Sequence, residues 1–395
     1  MNIAFFTDTF LPQVNGIVVS IVAQARKLAD KGHHVYIVAP RFSKTEHFSY
    51  PNITVIRRPS VPAMVYGDFK TALPFDPLLV KLVIDKKIDV IHLHTPITLG
   101  MQAVIITKLL QLPLVGTFHT FFADPGYLKH FSLNNRFVEK LAWRYSNLFY
   151  NRCDLVVCPS QGTKAHLIAN GCKRPVQVMH HGVDLSTFDN RNAAKLRKQF
   201  TKRGKLLLFV GRIAHEKNIP YLLDCMPLIV KKLPSTKLVI VGSGPQISEV
   251  KEKISALGLD TRVILTGEIP HDLLVKSGVY GACDLFVTAS TTETGPMTML
   301  EAQANGMVCV GVEGRGMNII KNGINGYLVK PDDTQAFADA IVRLLTHSEL
   351  MGHMQKETLA RIQRYDLNRI ILRWEKIYTD LVALKHHRLS VRVGR

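Results

Sequence analysis

Long hydrophobic runs and paired cysteines are absent from this sequence. No stretch of 18 apolar residues occurs, which excludes a membrane-spanning helix of ordinary length. The six cysteines are scattered without a C-x-x-C pair, so the sequence predicts neither a zinc site nor a disulfide framework and favours a reducing compartment. The chain starts with a strand-like run, Asn2–Phe6, rather than with a basic leader. We therefore expect a cytoplasmic protein.

Acidic residues are also fewer than basic residues. The 395 residues include 50 Lys and Arg against 31 Asp and Glu, a formal net charge of +19. Both halves share this excess, since residues 1–190 hold 20 basic and 12 acidic side chains and the remainder holds 30 and 19. This balance suits phosphorylated substrates, an anionic membrane surface or nucleic acid, or else a basic surface that is simply solvated. Nucleic acid ranks last because basic and aromatic residues are not interleaved.

The alternation of short β-branched runs with helix-like stretches predicts an α/β protein. A chain of 395 residues is too long for one ordinary core, so two domains are expected, each a parallel sheet with helices on both faces. We place the first at 1–185 and the second at 203–366, with the last helix, 367–385, crossing back and 386–395 forming a basic tail. Ligands would bind off the carboxyl ends of the strands, in a cleft where the two domains face each other.

One stretch, ASTTETGPMTMLEAQANG at 289–306, carries two carboxylates eight positions apart. Its Gly-Pro pair predicts a helix start, so Glu293 lies in the preceding loop and Glu301 lies inside the helix. The first N–H groups of that helix, on Met297 and Thr298, form an anion site strengthened by the helix dipole. Together these groups could hold a sugar, a diphosphate and a ribose. Alternatively, Glu301 only balances the dipole and Glu293 is a solvated loop charge.

Other polar loops also follow predicted strands. The loop at 12–16, PQVNG, is either a phosphate- or sugar-approach loop or a plain turn. In GRIAHEK, Arg212 offers a planar fork and Lys217 a point charge, which is what a diphosphate needs without a metal. The chain has no D-x-D triplet for a divalent ion, in keeping with metal-free binding. Three histidines end predicted strands, where packing roles are commoner than catalytic ones: His92, His94 and His119.

The segment 137–152 has a clear helical period. Apolar residues recur on one face, which we expect to pack on the core: Phe137, Val138, Leu141, Tyr145, Leu148 and Phe149. Cations recur every four residues on another face: Arg136, Lys140 and Arg144. This cationic stripe is either a solvated face of an ordinary helix or a surface that rests on anionic lipid.

The order and spacing of these motifs resemble glycosyltransferase family 4, a family of retaining enzymes with the GT-B architecture of two Rossmann-like domains. The resemblance covers nearly the whole chain. It includes the P-x-x-x-G loop, the D-x-x-H-x-H strand at 89–94, HGVD at 181–184, GRIAHEK, VGSGP, the E-x7-E pair and NGINGYLV.

The resemblance implies a role for each matching position. Catalysis is implied for His119, Arg212, Lys217 and Glu293, and donor binding for Gly16, Arg212, Lys217, Ile269, Glu293, Met297, Thr298 and Glu301. In this scheme Arg212 and Lys217 hold the diphosphate, Glu293 the sugar hydroxyls and Glu301 the ribose. The acceptor attacks on the face from which the phosphate leaves, and the protein stabilises the leaving diphosphate. Neither a metal nor another cofactor is implied.

Within the family, the stretch GTFHTFFADPGYLKHF at 116–131 resembles the bacterial diacylglycerol glucosyltransferases. That likeness implies a UDP-glucose type of donor, a lipid acceptor contacted by Asp124, and an enzyme peripherally bound at the inner face of the cell membrane. Two alternatives stay open. One is a GDP-mannose- or UDP-sugar-dependent transferase with a soluble or polysaccharide-precursor acceptor, and the other is a GT-B protein that binds a nucleotide sugar without transferring it.

Overall fold

The computed structural model describes residues 1–13, 15–42, 48–62, 70–119 and 136–393, and it divides the chain into two compact units. Unit 1 comprises Met1–Gly182 together with Leu367–Arg395, and unit 2 comprises Val183–Asp366. The stretch 184–202, which the sequence suggested as a junction, therefore lies in unit 2 and contains a helix, Ala193–Phe200.

Unit 1 is built on a seven-stranded parallel sheet. In chain order its strands are β1 Asn2–Phe6, β2 His34–Pro40, β3 Ile53–Arg58, β6 Val90–Leu93, β7 Leu114–Thr117, β8 Leu155–Cys158 and β9 Val176–Val178. A separate antiparallel pair joins β4 Ser60–Pro62 to β5 Lys70–Ala72. The spatial order β3-β2-β1-β6-β7-β8-β9 places β1 and β6 at the centre, so the loops that follow them meet at one edge.

Helices cover both faces of this sheet. They are α1 Gly16–Asp30, α2 Pro77–Asp85, α3 Thr98–Leu110, α4 Arg136–Tyr150, α5 Gln161–Ala169 and the C-terminal α14 Leu367–Val393. Side chains of α1 and α14 share one buried cluster with one face of the sheet, and those of α2, α3, α4 and α5 share the cluster on the other face. This two-sided burial explains why the central strands are apolar on both faces.

Unit 2 repeats the design with six parallel strands in the order β12-β11-β10-β13-β14-β15. The strands are β10 Leu206–Val210, β11 Lys237–Val241, β12 Val263–Gly267, β13 Leu285–Thr288, β14 Val308–Val312 and β15 Gly326–Val329. The helices are α6 Ala193–Phe200, α7 Ile219–Lys232, α8 Ile247–Ala256, α9 His271–Leu274, α10 Val279–Ala282, α11 Met297–Ala304, α12 Thr334–Thr346 and α13 Ser348–Ile362. Short 3-10 turns lie at His215–Lys217, Met317–Ile319 and Gln363–Tyr365. The predicted α/β fold with two parallel sheets is confirmed.

The helix α4 sits the other way round from the prediction. Its buried side consists of Trp143, Ser146, Phe149 and Tyr150, whereas most of the residues expected in the core are exposed. These exposed side chains are Phe137, Leu141, Tyr145 and Leu148. The predicted helical period is correct, but the predicted buried side is wrong. The side that faces the core is the one whose aromatic residues, Trp143 and Tyr150, pack against Phe118.

The C-terminal helix α14 is longer than predicted, because it continues to Val393 where the sequence suggested a basic tail from 386. Its inner side places Trp374 and Tyr378 against the sheet of unit 1. Among the described residues no helix, α14 included, combines the length and the apolar character that crossing a membrane requires.

Candidate functional site

Three loops of unit 2 follow β10, β11 and β13, which are neighbours in the sheet. The first two touch backbone to backbone: the N–H of Gly211 donates to Val241 at 3.0 Å, and that of Ile213 donates to Ser243 at 2.9 Å. A Cβ on Gly242 would collide with the carbonyl of Gly211. The glycines of VGSGP therefore allow the GRIAHEK loop to pack closely at this edge.

Lys217 and Glu293 form an ion pair across this edge. The lysine ends a 3-10 turn after β10, and its Nζ donates to Oε1 of Glu293 at 2.5 Å. Burial alone would lower the pKa of Lys217, but the adjacent carboxylate outweighs it and the pKa lies above its ordinary value. Burial would likewise raise the pKa of Glu293, yet the charge of Lys217 and its hydrogen bond hold that pKa below its ordinary value. Both groups are charged at neutral pH, and the sequence had treated them as separate contacts.

The loop that follows β14 holds the backbone of Glu293 in place. The N–H of Glu293 donates to the carbonyl of Arg315 at 3.0 Å, and the N–H of Arg315 donates to the carbonyl of Thr291 at 2.9 Å. Gly316 has a φ of +76°, and a Cβ there would meet the Glu293 carbonyl. No local sequence pattern indicates this pairing, because it joins segments that are not neighbours in the chain.

Glu301 lies within α11 and is buried. Its Oε2 accepts from the hydroxyl of Tyr280 at 2.6 Å, and its Oε1 is bonded to Nε2 of His271 at 2.8 Å. Burial and the nearby Glu301 raise the pKa of Tyr280 well above its ordinary value, so the phenol remains a donor. Sequence analysis missed both partners. Glu301 is thus held in place by two side chains.

The other residues of unit 2 that the sequence predicted for donor binding lie around the same edge of its sheet. Helix α11 begins at Met297, followed by Thr298, and its N-cap is Pro296, which makes no side-chain cap hydrogen bond. Because the first N–H groups of any α-helix lack intrahelical partners, this end remains suited to an anion. Arg212 lies two residues beyond the end of β10 and is half-buried, and Ile269 lies two residues beyond the end of β12.

In unit 1, His119 belongs to a buried histidine cluster. Its Nε2 lies 3.0 Å from Nδ1 of His94, and its ring stacks on His181 with centroids 5.5 Å apart. Burial, with repulsion between neighbouring histidines, lowers the pKa of His94 and His119 well below the ordinary value, and that of His181 to about 4. These rings are neutral at pH 7, so they act as hydrogen-bonding groups rather than as cations.

His92 has a structural role. The amide of Gln24 donates to the hydroxyl of Tyr378 at 2.9 Å, and this hydroxyl lies 2.7 Å from Nδ1 of His92. On its other side, Nε2 of His92 lies 2.6 Å from Oγ1 of Thr117. The ring therefore ties α1 and α14 to the sheet. A cavity of about 20 Å³ beside His119 and His181 has room for about one water molecule, not for a sugar.

The first loop of unit 1 is held in place by the side chains of Asn15 and Asp8. Asn15 caps α1 by accepting from the N–H groups of Ile17 and Val18, and Gly16 is the first residue of the helix. Asp8 is buried and accepts hydrogen bonds from Thr95, Thr98 and the N–H of Leu99, which joins the loops after β1 and β6. Asp124, the acceptor residue suggested by resemblance, lies outside the described residues.

Comparison with known proteins shows the family to which this chain belongs. Residues 14–187 match the family model described as Glycosyltransferase Family 4, and residues 190–361 match the model described as Glycosyl transferases group 1. An alpha-monoglucosyldiacylglycerol synthase of Streptococcus pneumoniae is 31% identical over 315 residues, covering 78% of this chain and 70% of the relative. The chain belongs to glycosyltransferase family 4. It is an enzyme of the hexosyltransferase type, as the sequence predicted.

One further relative carries the same name, and another carries a different one. A second alpha-monoglucosyldiacylglycerol synthase, from Acholeplasma laidlawii, is 24% identical over 404 residues, covering 99% of this chain and 100% of the relative. A GDP-mannose-dependent alpha-mannosyltransferase of Corynebacterium glutamicum is 27% identical over 362 residues, 89% of this chain and 83% of that protein. The names of these relatives of the glycosyltransferase therefore record different sugars, glucose in one case and mannose in the other.

Solved structures agree on the fold. A sucrose-phosphate synthase from Thermosynechococcus elongatus superposes with a TM-score of 0.79 at 20% identity, covering 97% of this chain and 99% of the other. The Anabaena protein HepE in complex with UDP-glucose superposes with a TM-score of 0.76 at 21% identity, covering 96% and 100%. The two-domain GT-B class predicted from the sequence is confirmed for this glycosyltransferase.

Proposed function

We propose that this glycosyltransferase moves a hexose, with retention, from a nucleotide diphosphate sugar of the UDP-glucose type to a diacylglycerol-like membrane lipid, without a metal ion. The observation that carries this proposal is the Lys217–Glu293 pair. In it a cation and a carboxylate are held charged beside the carboxyl ends of strands β10 and β13 of unit 2. The names of two relatives, both alpha-monoglucosyldiacylglycerol synthases, support the sugar and the lipid.

In this mechanism the ion pair opens when the donor binds. Lys217 and Arg212 contact the diphosphate, and Glu293 is released to accept hydrogen bonds from sugar hydroxyls. A lysine already charged and partly desolvated stabilises the leaving diphosphate strongly, because few water molecules screen it. The first N–H groups of α11 add to the same stabilisation.

Glu301 takes the ribose in this scheme. A carboxylate can accept about four hydrogen bonds, so the two partners His271 and Tyr280 leave capacity for ligand hydroxyls. The main chain near Ile269 borders the base. In unit 1, neutral His119 offers a hydrogen bond to the donor sugar without adding a charge.

The acceptor hydroxyl then attacks the anomeric carbon on the face from which the diphosphate departs. The C1–O bond to phosphate breaks, the C1–O bond to the lipid forms, and the proton of the hydroxyl passes to the leaving phosphate oxygen. The protein's part is to hold the reacting groups in place and to stabilise negative charge on the leaving group.

The experiment that tests this proposal measures the transfer of a sugar to a lipid acceptor. Purified enzyme is incubated with UDP-glucose or GDP-mannose and with dioleoylglycerol in mixed micelles, with and without excess EDTA. We expect a glucosyl lipid by mass spectrometry, an α anomeric proton by NMR, and undiminished rate in EDTA. Transfer from GDP-mannose alone would replace the proposed donor, as the mannosyltransferase relative suggests. Nucleotide binding without transfer to any lipid extract would contradict the lipid acceptor and favour a soluble or polysaccharide-precursor acceptor.

A further inference from the structure

Helix α4 presents an unusual outer surface. Phe137, Leu141 and Leu148 are 74%, 56% and 55% exposed, although leucine and phenylalanine usually lie inside. They recur at intervals of four and seven, which aligns them in one stripe along the helix. The opposite side is packed, since Trp143 stacks on Phe118 with centroids 5.9 Å apart. The exposed stripe is therefore the outward side of a well-anchored helix.

Neighbouring helices extend this stripe. On α3 the exposed apolar residues are Met101, Ile105 and Leu109, spaced by four, and on α2 they are Leu78 and Ile84. The inner sides of α2, α3 and α4 belong to one buried cluster on one face of the sheet. Because the three helices cover the same face, their outer sides point the same way. Several large apolar side chains exposed on one side of a domain in this way indicate an interaction site.

Cations surround the apolar stripe. Lys108 on α3 and Lys140 and Arg144 on α4 are exposed, as are Lys81, Lys86 and Lys87 in and just after α2. The three helices hold only two acids, Asp85 and Glu139, and Asp85 is paired with Lys81 at 3.0 Å. Apolar side chains flanked by cations match a membrane interface, where acyl chains lie beneath anionic headgroups.

We propose that the outer surface of α3 and α4 docks this enzyme on an anionic bilayer, with Leu109, Leu141 and Leu148 inserted below the headgroups and Lys108, Lys140 and Arg144 at headgroup level. This inference rests on the proposed lipid acceptor and names the surface that meets it. A second copy of the chain fits the surface less well, because a two-fold contact would bring the cations of both copies together.

The surface also adjoins the reaction site within unit 1. Phe118, on which Trp143 of α4 stacks, directly precedes His119. A helix seated on the membrane through its outer side thus contacts, through its inner side, the residue next to the histidine proposed to bind the donor sugar. Docking through α4 would place the bilayer near this end of β7, where a lipid acceptor is needed.

The test compares two triple variants by vesicle sedimentation. Leu109→Gln, Leu141→Gln and Leu148→Gln alter the docking surface, and Leu359→Gln, Leu372→Gln and Leu384→Gln alter exposed leucines elsewhere. With vesicles of phosphatidylglycerol and phosphatidylcholine, we expect the first triple to lower the partition coefficient by at least about 100-fold and the second to leave it unchanged. Binding of the wild-type enzyme to vesicles should weaken as the salt concentration rises, but part of it should persist at high salt. The first triple variant should lack this salt-resistant binding. Equal binding by both triples would overturn the proposal.

Two further measurements separate the outcomes. Dioctanoylglycerol dispersed in water is an acceptor that needs no docking, so the first triple should use it at the wild-type rate and fail only with vesicle-embedded dioleoylglycerol. If wild-type enzyme glycosylates neither but its vesicle binding depends on the three leucines, the lipid acceptor is wrong and the docking surface stands. If sedimentation velocity shows a wild-type dimer that the first triple dissociates, a second copy occupies the surface and the bilayer does not.

Discussion

Lys217 and Glu293 depend on each other for their charge state, and this makes the pair testable at the scale of single residues. We expect Lys217→Met to lower kcat/KM by the factor that corresponds to about 3–4 kcal/mol of lost transition-state stabilisation, which is usual when a charge-assisted donor is removed. Without the lysine, burial would dominate and raise the pKa of Glu293. The acid limb of the pH–rate profile should therefore move to higher pH.

A matched control exists for this substitution. Lys232 and Asp339 form an exposed ion pair, with Nζ and Oδ1 2.6 Å apart. Lys232→Met removes the same group from a surface pair, which usually contributes little, so its turnover and pH–rate profile should stay at wild-type values. A wild-type rate in Lys217→Met would remove this lysine from the reaction.

Tyr280 is a positioning residue, because it acts through Glu301. Tyr280→Phe leaves a buried carboxylate oxygen without its donor, which should lower the free energy of unfolding by about 1–3 kcal/mol. It should also weaken UDP binding several-fold, because Glu301 would lose its fixed orientation. Tyr221→Phe is the control, since that hydroxyl donates to the carbonyl of Asp333 at 2.9 Å. Urea unfolding and titration calorimetry should show a stability loss in both variants but weaker UDP binding only in Tyr280→Phe.

At the scale of elements, the loop before α11 is shaped by the loop after β14. Gly316→Ala introduces a Cβ against the carbonyl of Glu293 and also strains a backbone at φ +76°. Gly323→Ala has the same φ of +76° but open space around its Cβ. Both should lose about 1 kcal/mol of stability from strain, and only Gly316→Ala should lose most of its transfer activity. Equal activity in the two variants would mean that the position of Glu293 is not critical.

At the scale of the whole molecule, nucleotide preference should appear as thermal stabilisation. A ligand that binds only the folded protein stabilises it by about 2.7 kcal/mol at 100 times its Kd. We expect UDP-glucose and UDP to raise the Tm clearly, and GDP-mannose and GDP to have little effect at equal concentration. The control is the same series with Lys217→Met, in which the UDP response should shrink. A larger shift with GDP-mannose would favour the alternative donor.

The amino-acid sequence alone determined the family and the two parallel sheets. Runs such as Leu206–Val210 and Val308–Val312 are buried on both faces of a parallel sheet, and a continuous apolar run records this directly. The loops after these strands were equally readable, because the position of a loop relative to its strand is a local property. In this way the sequence predicted Arg212 and Lys217 in the loop after β10 and Glu293 in the loop after β13, whereas Glu301 was predicted within the helix that follows Glu293.

Only the tertiary structure decided which side chains meet. Lys217 and Glu293 are 76 positions apart, and Glu301 draws its partners from 21 and 30 positions away. No local pattern encodes such pairs, because they depend on the order of strands in the sheet. Likewise, the period of α4 indicates that one side is buried without stating which. Packing of Trp143 against Phe118 settled that choice and left the leucines outside.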